Sequence, residues 1–197
     1  MQKLKTYLGK TDIYLLDQII KGRFLPEHQI LDAGCGNGRN MYWFTQNGYS
    51  NVFGIDQKED CITKVKEKYS NIKANFHVST VEKMPFEDEQ FDRIISSAVL
   101  HFAKNETHFW AMLNEMWRIL RPKGILFIRM TSIWGLENWV KPKGSSVYQI
   151  PDGSTRFLLS TKLLQEWEAR YPFLWVEPLK TVNVNNERAM STLVISK

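Results

Sequence analysis

Apolar residues recur along this chain with two alternating periods, one typical of helices and one typical of strands. Ile13, Leu16 and Ile20 lie three and four residues apart, which predicts a helix over residues 12–21 with Thr11 as its cap. Further along, short apolar runs alternate with segments of helical period. The runs predict strands over residues 28–33, 51–55, 75–78, 91–96, 125–130, 174–184 and 190–196, and the segments between them predict helices over residues 39–47, 58–69, 106–120 and 161–170.

The order of these elements predicts the fold. Repeated strand, helix, strand units favour parallel pairing with right-handed crossovers, so we predict an α/β protein with a doubly wound, mostly parallel sheet of seven strands and helices on both faces. Asn185, Asn186 and Glu187 lie in the short connection between the last two strands. This short connection predicts an antiparallel hairpin, and therefore an antiparallel last strand.

One stretch interrupts the alternation of strands and helices. Residues 134–157 contain the turn-forming Pro142, Gly144 and Gly153 and show no internal repeat, which predicts a surface insertion. We therefore interpret residues 1–197 as one domain with four parts. These are an N-terminal helical cap (1–27), a ligand-binding core (28–131), an insertion or lid (132–159), and a C-terminal helix with a hairpin (160–197).

Composition narrows the class of protein. The 197 residues are 43% hydrophobic and 13% aromatic, enough for one domain with a substantial core. No apolar run approaches the roughly 20 residues of a membrane-spanning helix, and the first ten residues lack the apolar run of a secretory signal. Two cysteines, Cys35 and Cys61, suit neither a disulfide framework nor a metal site. We expect a cytoplasmic protein without a membrane partner or a metal.

The net charge of +5 raises the question of nucleic-acid binding. The basic residues are scattered, and the one local cluster, Lys64, Lys66 and Lys68, is interrupted by Val65 and Glu67. Nucleic-acid surfaces usually concentrate their basic residues in a patch or stripe. We therefore predict no dedicated nucleic-acid surface and interpret the cluster as a solvated helix face. Nothing in the sequence indicates the oligomeric state.

The most informative segment follows the first predicted strand. Gly34, Gly36 and Gly38 lie at alternate positions between that strand and a predicted helix. Glycine is required where the main chain approaches a ligand closely or takes a positive φ angle, so this spacing predicts a ligand against the backbone. The next strand ends near Asp56, and a carboxylate at that place can bind both hydroxyls of a ribose. The pattern predicts a nucleoside cofactor.

Other interpretations of these residues exist. A dinucleotide site requires glycine where Arg39 stands, and Gly38 comes one position too early for it, which disfavours a nicotinamide-dependent oxidoreductase. A glycine-rich loop alone also fits another nucleotide fold or a tight turn. Asp56 alone also fits a helix cap. The order of further motifs discriminates among these possibilities.

Read with Asp32, the loop has an acidic residue followed by three alternating glycines, and it resembles the first motif of the class I S-adenosylmethionine-dependent methyltransferases, in particular small type 11-like members. Residues 79–86 resemble the segment of that family that reads adenine. Residues 96–101 resemble its fourth motif, and residues 120–124 resemble the turn before its fifth strand. The similarity covers residues 30–128 and implies a Rossmann-like fold with S-adenosylmethionine as cofactor.

The resemblance also implies roles for individual residues. The glycine loop and Asp32 would hold the methionine portion, and Asp56 would hold the ribose. Thr80 and Val81 would flank the adenine, although aspartate is commoner at the first of these positions. The full set of implied cofactor residues is Asp32, Gly34, Gly36, Gly38, Asp56, Gln57, Thr80, Val81 and Ser97.

The acceptor side is less specific. His101 is the candidate general base or acceptor-orienting group, because imidazole takes up a proton near neutral pH, although a histidine at this place also often bonds a loop. The candidate acceptor residues Tyr14, Arg129, Trp134 and Tyr148 equally fit packing or, for the arginine, an ion pair.

These residues predict methyl transfer to a small-molecule acceptor. Residues 97–100 lack the proline-rich signature of enzymes that methylate amino groups of nucleic-acid bases. An RNA or protein acceptor and a non-catalytic module that binds S-adenosylmethionine remain as alternatives.

Overall fold

A computed structural model of the protein describes residues 6–197; residues 1–5 of the predicted N-terminal cap lie outside this range. The elements in chain order are α1 (Ile13–Ile20), β1 (Ile30–Ala33), α2 (Tyr42–Gln46), β2 (Val52–Asp56), α3 (Glu59–Lys68), a 3-10 helix (Ser70–Asn75), β3 (Phe76–Val78), β4 (Phe91–Ser97), a 3-10 turn (Leu100–Phe102), α4 (Glu106–Ile119), β5 (Leu120–Thr131), β6 (Lys141–Gly144), β7 (Val147–Gln149), β8 (Thr155–Phe157), α5 (Thr161–Arg170), β9 (Leu174–Trp175), β10 (Lys180–Val184) and β11 (Arg188–Ser196).

The main sheet has the strand order β10-β11-β5-β4-β1-β2-β3. Strands β1 to β5 pair in parallel, whereas β11 runs antiparallel to β5 and to β10. This arrangement confirms the predicted doubly wound, mostly parallel sheet of seven strands with an antiparallel last strand and a final hairpin. Reversal of strand order at β1, between β4 and β2, opens a crevice at the carboxyl ends of these strands, where ligands bind in such sheets.

The single strand predicted over residues 174–184 is wrong. The structure divides it into β9 and β10, which pair with opposite ends of β11. Pro178 lies between the two pieces. Because proline lacks a backbone N–H and cannot continue a ladder, the chain leaves the sheet there and adds a short eighth strand.

Two predicted helix starts are also wrong. Asp12, not Thr11, caps α1, since its Oδ1 accepts the backbone N–H of Tyr14 at 2.9 Å, whereas the Thr11 hydroxyl donates to a carbonyl at position 8. Helix α2 begins at residue 42 instead of 39. The intervening residues form turns, and among them the Asn40 side chain bonds Asp12. The glycine loop is therefore longer than the pattern indicates.

Helices cover both faces of the sheet. Leu15 of α1 and Ile62 and Val65 of α3 pack in one buried cluster, with Phe44 of α2. On the other face, α4 and α5 contribute to a second cluster, in which Trp167 is fully buried. Because both faces of the sheet are covered, β1 is apolar at every position except Asp32. The Asp32 side chain is buried as well.

The predicted insertion forms a second sheet of three antiparallel strands, in the order β6-β7-β8. Its exit strand is anchored to the end of β5, because the Thr131 hydroxyl donates to the carbonyl of Phe157 at 2.9 Å and Leu159 N–H donates to the carbonyl of Thr131 at 3.1 Å. Phe157 is fully buried and stacks on Phe109 of α4 at 4.8 Å between ring centroids. Among the described helices, none has the length and apolarity to cross a bilayer.

Candidate functional site

Two adjoining cavities lie at the carboxyl ends of β1, β2 and β4. We call them the cleft, with a volume of about 440 Å³, and the groove, with a volume of about 730 Å³. The two share Gly34, Gly36 and Ala98 as lining residues, so the glycine loop forms the wall between them. A ligand that spans the loop would therefore occupy both cavities.

The cleft contains most of the predicted nucleoside residues. Six residues predicted from the sequence line it, namely Gly34, Gly36, Asp56, Gln57, Thr80 and Val81. Ten other residues that the sequence interpretation did not include also line it, namely Lys58, Cys61, Ser79, Glu82, Ala98, Val99, Phe102, Lys104, His108 and Met112. Among them, Glu82 and His108 lie in contact, with 3.5 Å between Oε2 and Nε2. No periodicity marks these residues, because they come from a loop and from the first turn of a helix that only the fold brings together.

The three loop glycines differ in role. A Cβ built on Gly36 meets nothing within 4 Å, so this position faces open space at the boundary of the two cavities. Gly34 has a φ angle of +85°, and its Cβ would lie 2.6 Å from a methyl group of Val99. Gly38 lines neither cavity, and its Cβ would lie 2.8 Å from the ring of Tyr69. Gly38 thus serves packing alone, whereas Gly34 packs on Val99 and also lines both cavities.

Asp56 holds the loop in place. Its Oδ2 accepts the backbone N–H of Gly36 at 2.9 Å, and its Oδ1 accepts the backbone N–H of Lys58 at the same distance. Each carboxylate oxygen can accept a second hydrogen bond. The side chain is therefore oriented by the backbone and still has acceptor capacity toward the cleft that it lines.

Asp32 lies beneath the loop and is only 1% exposed. Burial raises the pKa of this carboxyl to about 7, with a smaller raising effect from Asp56 and Asp12, while Arg39 and a hydrogen bond from Asn40 act in the opposite direction. Its Oδ2 is buried and has no hydrogen-bond partner among the described residues. Leaving a buried acceptor unpaired is costly, and such an atom fits an ammonium donor supplied by a ligand.

Asp12 is a buried carboxylate next to the site that the sequence interpretation missed. It is 5% exposed, and its Oδ2 accepts the Ser97 hydroxyl at 2.9 Å and an Arg129 N–H at 3.2 Å. Arg39 lies 3.8 Å from the same oxygen. The only sequence signal was an acidic residue at the start of a helix, since its partners lie 85 and 117 positions further along the chain. Asp12 joins α1 to the ends of β4 and β5.

The predicted catalytic residue His101 is 6% exposed and lines neither the cleft nor the groove. Burial, together with the charges of Arg156, Arg188 and Arg129, lowers its pKa to about 3. Its Nδ1 has no hydrogen-bond partner among the described residues, and its ring packs edge-on against Phe102. The imidazole is therefore neutral at physiological pH and is a weak proton acceptor in this position.

The four predicted acceptor residues line neither cavity. Arg129 pairs with Asp12 and lies over the ring of Tyr14, with 4.9 Å from Cζ to the centroid. Trp134 donates its indole N–H to Thr161 at the start of α5, at 3.1 Å. Tyr148 lies in β7 of the second sheet. Of the predicted residues outside the cleft, only Ser97 reaches the groove.

The arrangement fits S-adenosylmethionine. Asp56 would bind the ribose from the end of β2, and the cleft would enclose the adenine. Asp32 lines neither cavity, but its unpaired buried oxygen is the acceptor that an ammonium group on the loop would use. Gly36 leaves the open space that a ligand against the backbone requires. The fold and this site define a class I S-adenosylmethionine-dependent methyltransferase domain.

Comparison with known proteins gives the same class of protein. Residues 31–128, about half of the chain, match the family model described as a methyltransferase domain. The chain therefore belongs to the class I methyltransferases of type 11, and the cofactor of the family is S-adenosylmethionine.

Similar proteins act on different acceptors. The chain is 27% identical over 172 residues to the tRNA U34 carboxymethyltransferase of Idiomarina loihiensis, covering 83% of this chain and 51% of that protein. It is 34% identical over 119 residues to the ubiquinone biosynthesis O-methyltransferase of Rickettsia bellii, covering 58% of this chain and 47% of that protein. The chain spans about half the length of these curated relatives.

The fold also matches solved structures. The 1,6-didemethyltoxoflavin-N1-methyltransferase of Burkholderia thailandensis, with bound 1,6-didemethyltoxoflavin and S-adenosylhomocysteine, has a TM-score of 0.71 to this chain. The match covers 100% of this chain and 81% of that one at 18% identity. At this level of identity the likeness concerns the fold.

The raised pKa of Asp32 predicts a pH dependence of cofactor affinity. An ammonium group held by Asp32 would require the ionised carboxylate, which predominates above pH 7 and is lost as the pH falls through 7. We expect the affinity for S-adenosylhomocysteine, measured by calorimetry, to fall about tenfold from pH 8 to pH 6. Asp32→Asn should bind more weakly and lose this dependence. An unchanged pH profile in that variant would contradict the assignment of Asp32 to the ammonium.

Proposed function

We propose that the protein transfers a methyl group from S-adenosylmethionine to a small-molecule acceptor. One observation supports this above the others: a glycine loop, with the oriented carboxylate of Asp56 on one side and the unpaired oxygen of Asp32 beneath it, separates two adjoining cavities. The cleft suits a nucleoside, and the groove leaves space next to it for a second reactant.

The chain's contribution to the reaction is positioning. Bound S-adenosylmethionine supplies an electrophilic methyl group on its sulfonium. Asp56 would fix the ribose and the loop together, and Asp32 would hold the ammonium. Asp12 would hold Ser97 in the wall of the groove through its hydrogen bond. Holding two reactants in line is worth roughly 7–11 kcal/mol in well-oriented systems, so the residues need supply little covalent chemistry.

The proposal gives His101 a positioning role and no proton transfer. A neutral, buried imidazole with a pKa of about 3 cannot take up a proton effectively at physiological pH. It packs against Phe102, which is exposed and lines the cleft. His101 therefore supports the wall of the cleft. Tyr14 of α1 and Arg129 of β5 also have a structural role, because the guanidinium of Arg129 packs on the ring of Tyr14 and so joins the helix to the sheet.

A small acceptor is favoured by the shape of the site. The groove has the volume of a site for a compact ligand, and its wall includes residues 9 and 10 of the N-terminal segment. An RNA acceptor is the second candidate, because the relative from Idiomarina loihiensis aligns over most of this chain and is described as acting on tRNA.

Transfer of label from S-adenosylmethionine into the low-mass fraction of a cell extract, and not into RNA or protein, would support the proposal. Label in RNA or protein would contradict it, and label in no fraction would favour a non-catalytic binding module.

Asp56→Ala tests the cofactor site. Loss of two charge-assisted hydrogen bonds, worth about 1.5–3 kcal/mol each, should weaken S-adenosylhomocysteine binding at least 100-fold in calorimetry. Asp60→Ala is the matched control, because this exposed carboxylate lies in the first turn of α3, pairs with Lys64 and lines neither cavity. The control should bind like the unaltered protein. Equal S-adenosylhomocysteine affinities for the unaltered protein and both variants would contradict the proposal. So would a rise in the melting temperature of the unaltered protein with NAD and not with S-adenosylhomocysteine.

A further inference from the structure

Among the residues that the structure describes, the groove is lined by basic side chains and by no acidic one. These lining residues are Gly9, Lys10, Gly34, Cys35, Gly36, Asn37, Arg39, Asn40, Tyr42, Lys68, Ser97 and Ala98. The three cations come from the N-terminal segment, the glycine loop and the last turn of α3. Three separate parts of the chain thus place positive charge on one cavity.

Lys68 is held toward the groove without an anionic partner. Its ammonium lies 5.3 Å from the ring centroid of Tyr42 and 4.8 Å from that of Tyr69, so two aromatic faces fix its position. It makes no ion pair with a described residue, and burial lowers its pKa with no neighbouring carboxylate to offset the effect. A partly desolvated ammonium in this state gains from a bound anion.

Lys10 and Arg39 complete the basic lining. Lys10 makes no ion pair with any residue that the structure describes, and the adjoining Gly9 packs on the ring of Tyr42. Arg39 contacts Ser97 and Asp12 through a single guanidinium nitrogen, at 3.4 and 3.8 Å, which leaves its other donors available. Together with Lys68, these residues offer more positive charge than the one carboxylate of the cofactor's methionine portion requires.

We propose that the groove binds an anionic group of the acceptor, a carboxylate or a phosphate, between Lys10 and Lys68. This inference rests on the proposed function and names the substrate class of the same site. The donor carries a net positive charge, so an anionic acceptor brings a groove with three cations nearer to electrical neutrality. Lys10, Arg39 and Lys68 converge on one cavity, which favours a small anion over a nucleic-acid backbone.

The test uses the full chain saturated with S-adenosylhomocysteine and inorganic phosphate as the probe, titrated by calorimetry against sodium chloride of equal ionic strength. We expect saturable phosphate binding by the unaltered protein. The double variant Lys10→Gln/Lys68→Gln should bind phosphate about tenfold more weakly, as expected when charged hydrogen bonds are lost. Its affinity for S-adenosylhomocysteine should fall by a clearly smaller factor than its affinity for phosphate.

Lys66→Gln is the matched control, because Lys66 lies in the same last turn of α3 but lines neither cavity. It should bind phosphate like the unaltered protein, and an equal loss in this control would overturn the inference. So would an equal loss of phosphate and S-adenosylhomocysteine affinity in the double variant, since the lysines would then hold the cofactor carboxylate.

Two further outcomes separate this inference from the proposed function. Binding of S-adenosylhomocysteine without saturable phosphate binding would overturn the anionic acceptor alone, whereas no binding of S-adenosylhomocysteine would remove the proposed function itself. A tRNA transcript that binds through the same lysines, with an affinity that falls steeply with salt, would assign the charges to nucleic acid and overturn a small acceptor.

Discussion

Replacing Asp12 by alanine is expected to lower the free energy of unfolding by about 3–5 kcal/mol, the usual cost of removing one partner of a buried ion pair. The substitution removes the cap of α1 and leaves the Arg129 guanidinium and the Ser97 hydroxyl without their acceptor. The Nε atom of Arg129 is already buried without a partner among the described residues, so its remaining bonds matter. Denaturant unfolding measures the change.

Two further variants separate the cap from the charge. Asp12→Asn keeps a good capping side chain and removes the negative charge, so it should cost less than Asp12→Ala. The double variant Asp12→Ala/Arg129→Leu should recover about 1–3 kcal/mol relative to the sum of the single changes, because no unpaired guanidinium remains. Additive effects of the two substitutions would show that the ion pair does not hold α1 against the sheet.

Replacing Gly34 by alanine is expected to lower the free energy of unfolding by about 2–4 kcal/mol and to abolish measurable binding of S-adenosylhomocysteine. The new Cβ would lie 2.6 Å from Cγ2 and 3.1 Å from Cγ1 of Val99, so no rotation of this branched side chain relieves the contact. Val99 and Gly34 both line the cleft, and displacement of either one changes its shape. Denaturant unfolding and calorimetry measure the two effects.

Gly48→Ala is the matched control for this variant. Gly48 has a φ angle of +80°, close to the +85° of Gly34, but a Cβ at this position meets nothing within 4 Å. The control should show the backbone strain alone, about 1–2 kcal/mol, and normal cofactor binding. Equal destabilisation by the two substitutions would mean that the contact with Val99 contributes nothing. Normal cofactor binding by Gly34→Ala would remove the loop from the site.

Local pattern was sufficient for much of the fold. Buried parallel strands are apolar along their whole length, and helices on a sheet are apolar on one face, so β1, β2, β4 and α4 were found within one or two residues of their bounds. The glycine loop was found because backbone close to a ligand excludes side chains. The pattern failed at Pro178, where a missing N–H divides a predicted strand, and at residues 39–41, where the loop replaces the first helical turn.

The sequence by itself therefore determined the doubly wound sheet, the loop and the place of Asp56, because each depends on residues within one strand, turn or helix. Only the tertiary structure decided what Asp12, Arg129 and Lys68 do. The partners of one ion pair lie 117 positions apart, and three separate segments line the groove. These contacts depend on how the elements pack, so they cannot be predicted from residue spacing. Burial likewise made His101 a weak base, although its place after β4 had favoured catalysis.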